Sequence, residues 1–305
     1  MSTFSIKDLE HLSGIKAHTI RIWEQRYQLI DPKRTDTNIR YYDDKDLKLI
    51  LNVALLKDNG FKISKIASMS EGEMQREVIK LTEMNLRYPE QIHALTISMV
   101  DLDEDRFEKI MSTNILKLGF EKTMLNVIYP FLSKIGILWQ TGAINPAQEH
   151  FISNLVRQKL IVAIDSQYVS TNQEANKYML YLPEGELHEL SLLFANYAIK
   201  SRQNRTIYLG QSLPLQDLVE VYNIHKPEFL VTVITSTPGI GEVQQYIDRI
   251  SETFADSKII ITGYQVVGQD IQAGKNVKII SKIQDIIDFV DDNTEVLSQN
   301  QLSQN

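Results

Sequence analysis

Residues 5–27 read SIKDLEHLSGIKAHTIRIWEQRY, two short helical patterns broken by a glycine. The Ser5 hydroxyl can cap the backbone N–H of Asp8, and the Asp8 carboxylate offsets the positive end of the helix dipole. Ile6, Leu9 and Leu12 then form a one-sided apolar stripe. Gly14 marks a sharp turn, because glycine takes positive φ without steric penalty. A second helix is expected over roughly Ala17 to Gln28. Its apolar positions Ile20, Trp23 and Tyr27 recur at helix spacing, while Lys16, His18, Thr19, Arg21 and Glu24 occupy the opposite face.

A short second helix with basic and hydroxyl groups near its N-terminus suits a reader of the DNA major groove, where only those first residues reach base edges and phosphates. The alternative is a solvated polar face on an ordinary small helix. The next residues favour the groove-reading helix. Asp31-Pro32-Lys33-Arg34 stops the helix, and Thr35 to Asn38 leads into Ile39-Arg40-Tyr41-Tyr42, a β-prone run ending in two aromatics. A hairpin carrying Lys33, Arg34 and Arg40 can grip the phosphate backbone beside the groove. Asp43-Asp44 caps a further helix to about Asp58, Asn59-Gly60 ends it, and Phe61, Ile63 and Ile66 begin a fourth.

This stretch resembles the DNA-binding domain of MerR-type transcriptional regulators. The matching pieces are Thr19-Ile20-Arg21-Ile22-Trp23-Glu24, Pro32 with Arg34, Arg40-Tyr41-Tyr42, and Asn59-Gly60-Phe61 with Ile66. The resemblance implies a winged helix-turn-helix whose DNA contacts come from Lys16, His18, Thr19, Arg21, Lys33, Arg34, Arg40, Tyr41 and Tyr42. The family usually has Gly-Tyr before the wing arginine; Asn38-Ile39 stands there in this chain, and asparagine tolerates the positive φ of the turn.

The formal charge of −7 is unusual for a DNA-binding chain until it is divided. Residues 1–70 hold 12 Lys/Arg against 9 Asp/Glu, and residues 71–305 hold 20 against 30. The basic end is therefore the DNA end. Its excess is small, so a single copy should bind weakly at physiological salt, and a homodimer or homotetramer reading two half-sites of double-stranded operator DNA is expected. With no cysteine, disulfides and thiolate capture of mercury, copper or zinc are excluded. There is no apolar run long enough to cross a bilayer and no signal-peptide pattern, so no membrane partner and a cytoplasmic location are expected.

Ser70 to Arg76 reads as a short polar bridge. Amphipathic helical patterns then follow over Glu77 to Met84, Pro89 to Val100, Asp103 to Gly119, Phe120 to Gly136 and Pro146 to Ser166, fitting a helical bundle. Ser170 to Asn176 reads as a linker. From Lys177, apolar β-rich runs at Tyr178–Leu182, Thr206–Leu209, Phe229–Thr235, Lys258–Thr262 and Val277–Ile280 alternate with helical segments at Leu187–Ser201, Leu215–His225, Gly241–Ala255 and Lys282–Val290. That alternation implies a doubly wound, five-stranded parallel sheet of flavodoxin-like type. The expected organisation is multidomain α and α/β: residues 1–75 a winged helix-turn-helix, 76–169 a helical bundle, 170–292 an α/β domain, and 293–305 a polar, disordered tail.

Sheets of this kind bind ligands at the carboxyl ends of their strands. The loop after the first strand places His188 between Glu186 and Glu189, so His188 is a candidate metal ligand whose other ring nitrogen is held by Glu186. The alternative is a partly exposed histidine in a first helical turn. In the bundle, Trp139, Glu149 and His150 lie on either side of a turn containing Gly142 and Asn145-Pro146; the alternative there is a core tryptophan and a satisfied core histidine. The acidic run Asp101, Asp103, Glu104 and Asp105 is read as a solvated helix start rather than a cation site. Pro238-Gly239-Ile240-Gly241 lacks the full dinucleotide fingerprint, and no P-loop appears.

Residues from about Glu77 to Asp291 resemble the two-part cobalamin-binding module of CarH/LitR-type light-dependent repressors. The family's Trp, nine-residue gap and Glu-His are matched by Trp139, Glu149 and His150, and its D-x-H-x-x-G by Glu186-Leu187-His188-Glu189-Leu190-Ser191 as E-x-H-x-x-S. The resemblance implies adenosylcobalamin, with His188 as the cobalt ligand and Trp139, Glu149, His150, Glu186, Thr232 and Gly263 around the cofactor. Cobalamin modules show S-x-L on the third strand and G-G after the fourth, where small residues admit the nucleotide tail. Thr232-Val233-Ile234 and Gly263-Tyr264 stand there, and a tyrosine narrows that channel by volume alone. The reading is a DNA-binding transcriptional repressor, not an enzyme, that senses adenosylcobalamin, with or without light, through its oligomeric state. Two alternatives stay open: a cofactor-free module serving oligomerisation or partner binding, and a cobalamin-dependent methyltransferase or mutase subunit.

Overall fold

A computed structural model describes residues 4–34, 38, 40–84, 88–140, 144–168, 175–239 and 241–302. It divides into two compact units, Met1–Asn154 and Leu155–Asn305.

In the first unit, α1 (Ile6–Ser13) opens on a reciprocal cap: Asp8 N–H donates to Ser5 Oγ and Ser5 N–H donates to the Asp8 carboxylate. Gly14, at φ 70°, makes the turn into α2 (Ala17–Tyr27), which ends on Gln28 in the left-handed region. Strands β1 (Lys33–Arg34) and β2 (Arg40–Tyr41) pair antiparallel, Lys33 opposite Tyr41 and Arg34 opposite Arg40. Asn38 takes φ 65° between them, the conformation the usual glycine would supply; Thr35, Asp36, Thr37 and Ile39 lie outside the described residues. The Asp43 carboxylate caps α3 (Asp44–Asp58), and α4 (Ile63–Ala67) follows Gly60. Leu9, Ile20, Trp23, Tyr42, Ile50 and Ile66 close the core between these elements. The Leu12 side chain lies outside the described residues.

The expected polar bridge at Ser70–Arg76 is instead the start of α5 (Glu71–Met84). Ser70 and Glu73 exchange hydrogen bonds as a capping pair, and Met74 and Val78, one helical turn apart, pack into the helix-turn-helix core. A boundary at residue 75 therefore runs through a helix. Next come α6 (Pro89–Asp101), α7 (Glu104–Leu118), α8 (Phe120–Thr123), a π-helical turn at Met124–Ile128, and α9 (Tyr129–Gln140). The helix expected to end at Gly136 continues to Gln140 because Leu138 is buried and Ile137 packs on the helix-turn-helix core. Asp103 caps α7 by accepting from Arg106 N–H, and Arg106 pairs with Asp101 and Asp103, so the acidic run is a helix start. Helix α10 spans Pro146–Asp165. The division between units falls inside α10, not at the expected linker, where residues 169–174 lie outside the described set.

The second unit holds one parallel sheet of β3 (Lys177–Pro183), β4 (Arg205–Leu213), β5 (Phe229–Val233), β6 (Lys258–Thr262) and β7 (Val277–Ile279), in the order β4-β3-β5-β6-β7. Helices α11 (Leu190–Ser201), α12 (Leu215–His225), α13 (Val243–Thr253) and α14 (Ile283–Leu302) connect and flank it. This is the doubly wound order in which strand sequence reverses between β3 and β5, opening a crevice at their carboxyl ends. Helix α11 begins at Leu190, not at the expected Leu187, because the Glu186 carboxylate takes the N–H groups of Leu187 and His188 and holds that stretch as a loop. The expected disordered tail is also corrected, since α14 runs on through Leu302. Asn176 donates to the Asn293 carbonyl and Asn204 donates to the Thr294 hydroxyl, tying the tail's first residues to the unit. Among the described residues, no helix is long and apolar enough to cross a membrane.

Candidate DNA-reading surface and histidine site

Helix α2 exposes Lys16, His18 and Arg21 beside half-buried Thr19. Lys16 pairs with Glu10 at 3.2 Å, and the His18 ring lies 3.3 Å from the Thr19 hydroxyl. Ile22, next to Arg21, is 50% exposed. Ile22 lies between Ile20 and Trp23 but off the face they share, which is the signal in the sequence for its exposure; an apolar group there suits a thymine methyl. On the hairpin, Arg34 donates to Asn38 Oδ1 at 2.7 Å, fixing the turn. Arg40 Nε sits 3.5 Å from Glu24, which joins the hairpin to α2.

Two of the predicted DNA residues have other work. The Lys33 ammonium reaches Asp43 at 2.9 Å and Asp46 at 3.1 Å, so it locks the hairpin to the first turn of α3. Those hydrogen bonds push the Lys33 ammonium up to about 12, and the bond to Lys33 draws the Asp43 carboxyl down to about 2. Tyr42 is corrected outright. It has no accessible surface, its backbone exchanges hydrogen bonds with Phe4, and its ring fills the core. Side chains alternate along an extended chain, so Tyr41 facing outward sends Tyr42 inward.

In the bundle, Trp139 is partly exposed, and the Lys48 ammonium of α3 lies 5.2 Å from its ring centroid, a cation–π contact. The His150 ring sits 2.9 Å from the Glu149 carboxylate, and the His150 side chain is 72% exposed. These three residues are surface groups, not the core tryptophan and satisfied histidine of the alternative reading. Gly142, expected in the intervening turn, lies outside the described residues.

In the second unit, Glu186 is fully buried at the carboxyl end of the sheet. Its Oε2 accepts from the backbone N–H groups of Thr235, Ser236 and Thr237 at 2.8, 2.6 and 3.1 Å. Its Oε1 accepts from Leu187 and His188 N–H, each at 3.0 Å, and faces His188 Nδ1 at 2.6 Å. Burial alone pushes this carboxyl up; the bonds from His188 and the backbone N–H groups outweigh it and hold the carboxyl far below the usual range. An ionised carboxylate only accepts, so Nδ1 carries the proton and the lone pair of a neutral ring belongs to Nε2. The His188 side chain is 63% exposed. An imidazole oriented by a carboxylate at Nδ1 is the arrangement that offers Nε2 to a metal ion.

Sequence reasoning missed what steadies the loop from the other side. Glu189 is buried, forms an ion pair with Arg157 of α10, and accepts from the Tyr208 hydroxyl at 3.2 Å. No local signal links residues 32 and 19 positions from Glu189.

Thr232 and Gly263 do not offer a ligand surface. Thr232 is wholly buried, opposite Tyr181 in the sheet register. Gly263 takes φ 119°, and a Cβ on it would lie 2.3 Å from the Ile234 carbonyl oxygen, so its smallness is consumed by a close backbone approach. Tyr264 beside it is half exposed. His188 is thus an exposed, oriented imidazole at the carboxyl end of the sheet, whereas the sheet interior at Thr232 and Gly263 is filled.

A winged helix-turn-helix joined to a helical bundle, together with a doubly wound sheet presenting a histidine, defines a DNA-binding regulator with a ligand module. Residues 4–73 match the family described as MerR HTH family regulatory protein, and residues 91–163 match the B12 binding domain. The HTH-type transcriptional repressor CarH of Myxococcus xanthus is 26% identical over 256 residues, 82% of this chain and 85% of that protein. The repressor CarA of the same organism is 26% identical over 214 residues, 70% of this chain and 69% of that protein. A cobalamin-binding protein from Desulfitobacterium hafniense DCB-2 superposes with a TM-score of 0.32 at 18% identity, covering 65% of this chain and 96% of that one. The chain thus carries a segment similar to MerR helix-turn-helix regulators and a segment similar to B12 binding domains, the make-up of a DNA-binding transcription regulator with a cobalamin-binding module.

Proposed function

We propose that this protein is a repressor, acting as a homodimer or homotetramer on operator DNA, whose affinity for the operator is set by adenosylcobalamin. The observation that carries the cofactor reading is the Glu186–His188 pair, which holds Nδ1 and supports Nε2 as the donor to cobalt. Glu189, held by Arg157 and Tyr208, keeps the loop in place. Trp139, Glu149 and His150 would contact the cofactor, a role that the matching Trp and Glu-His spacing supports. When bound, adenosylcobalamin supplies a cobalt–carbon bond that light cleaves, so illumination is the proposed signal.

Lys16, His18, Thr19, Arg21, Arg34, Arg40 and Tyr41 are assigned to DNA, with Lys33 acting through the hairpin it anchors. The small positive excess of the N-terminal segment supports assembly, because two copies double the phosphates neutralised. Regulation rather than catalysis fits the joined DNA-binding segment, and the similarity to CarH and CarA over most of the chain supports it.

The test mixes purified protein with adenosylcobalamin in the dark, desalts it, and records the absorption spectrum before and after illumination, followed by operator gel shifts. Corrin absorbance is expected to co-elute with the protein and to be lost in His188→Ala. Absence of corrin from the wild-type fraction overturns the cofactor reading and leaves the cofactor-free module, which the filled sheet interior favours.

A further inference from the structure

We propose that the module takes its corrinoid by the ring and cobalt alone, leaving the nucleotide tail outside the sheet, so that a cobinamide, which lacks the tail, binds as well as the complete cobalamin. This rests on the cofactor reading above and concerns which corrinoids the same site accepts.

The physical basis is the packing of the central strands. On one face, Leu180, Leu182, Val231 and Val233 are at most 4% exposed; on the other, Tyr181 and Thr232 have no accessible surface. A slot able to admit an aromatic base would leave water-accessible surface on the side chains lining it, since even a single water needs room that a probe detects. None of these six side chains of the central strands has more than a trace of such surface. One is covered by α11 and α14, where Phe194 and Val290 are fully buried. The other is covered by α12 and α13, from which the Tyr246 hydroxyl donates to the Tyr181 hydroxyl at 3.3 Å.

The mouth of the sheet is closed as well. The loops after β5 and β6 are stitched together: Ile234 N–H donates to the Thr262 carbonyl at 2.8 Å, Gln265 N–H to the Ile234 carbonyl at 3.1 Å, and the Gln265 amide to the Ser236 carbonyl at 2.7 Å. Gly263 is pressed against the Ile234 backbone, and Tyr264 stands just beyond it. Close-packed interiors resist insertion, because every added ring must displace side chains already at optimal separation. His188, by contrast, lies outside this packing with most of its side chain exposed. The metal end of the ligand therefore meets an exposed donor, while the tail meets a filled wall.

The experiment titrates the full chain in the dark with adenosylcobalamin and, separately, with adenosylcobinamide. Both titrations are followed by absorption and by equilibrium dialysis, with His188→Ala as control. The expected result is two dissociation constants within about threefold of each other, well inside the tenfold that 1.4 kcal/mol represents. The cobinamide spectrum should also show imidazole ligation that is lost in His188→Ala. A preference for adenosylcobalamin of about thirtyfold or more overturns the proposal while leaving the cofactor reading intact. Retention of neither corrinoid overturns both.

Discussion

Replacing Glu186 with glutamine keeps the volume but turns one carboxylate oxygen into an NH2 donor. Oε2 faces three backbone N–H groups, while Oε1 faces two N–H groups and the His188 ring. Whichever oxygen is replaced, at least two backbone donors lose their acceptor and meet another donor. An unsatisfied donor costs ~1–3 kcal/mol when buried, and the donor residues here are partly exposed, so Glu186→Gln should destabilise the sheet unit by ~2–4 kcal/mol. For a unit of about 150 residues, each kcal/mol lowers Tm by ~2–4 °C, giving a fall of roughly 4–16 °C. Both tryptophans, Trp23 and Trp139, lie in the first unit. Tryptophan fluorescence thus serves as an internal control while calorimetry and circular dichroism report the sheet. Because the folded carboxyl is held below the ordinary value of 4.5, its contribution is present above that value and is lost as pH falls toward the folded one, so the gap between wild type and variant should narrow in acid. A shift below about 0.5 kcal/mol at neutral pH, the range of an ordinary surface substitution, would show that Glu186 does not organise the loops.

Arg21→Ala is expected to cost ~1–3 kcal/mol of operator binding, and Arg40→Ala to weaken binding while lowering the salt slope by about 1, in quantitative gel shifts; unchanged affinity in both would refute the assignment of reading helix and wing. Tyr42→Phe removes a buried hydroxyl that has no partner among the described residues, so stability should stay level or rise and operator affinity should not change. Lost affinity in a normally folded Tyr42→Phe protein would return that residue to the interface. The Lys33–Asp43 pair should contribute stability that is lost in acid between ~4 and the folded Asp43 value of about 2, and in alkali between 10.5 and about 12, where Lys33 loses its proton. Asp43→Asn should flatten the acid limb of the pH–stability curve and shrink the alkaline one, where Asp46 still holds Lys33, and a curve identical to wild type would rule the pair out as a lock.

Much of the fold is written in local signals. The Ser5 and Asp43 caps, Gly14, Gly60 and the helical period of Ile20, Trp23 and Tyr27 act within a turn or two, and the described helices follow them closely. Departures occur where partners are distant. Glu186 was legible as a neighbour of His188, but its main acceptor role is toward Thr235, Ser236 and Thr237, about fifty positions away. The same distant capture delays α11 to Leu190. Tyr42 reads as the end of an exposed aromatic pair until the pleat and the Phe4 bridge turn it inward.

The sequence by itself determined the two kinds of unit, a basic helix-turn-helix end and a parallel sheet with a histidine after its first strand, because period, caps and turn residues are properties of neighbouring positions. The tertiary structure alone decided which side chains keep a surface. It exposed His188 and Ile22, buried Tyr42 and Thr232, spent Lys33 on two carboxylates and Gly263 on the Ile234 backbone, and packed both faces of the sheet's central strands. Each of those outcomes depends on the register and packing of segments far apart in the chain, which no local pattern encodes.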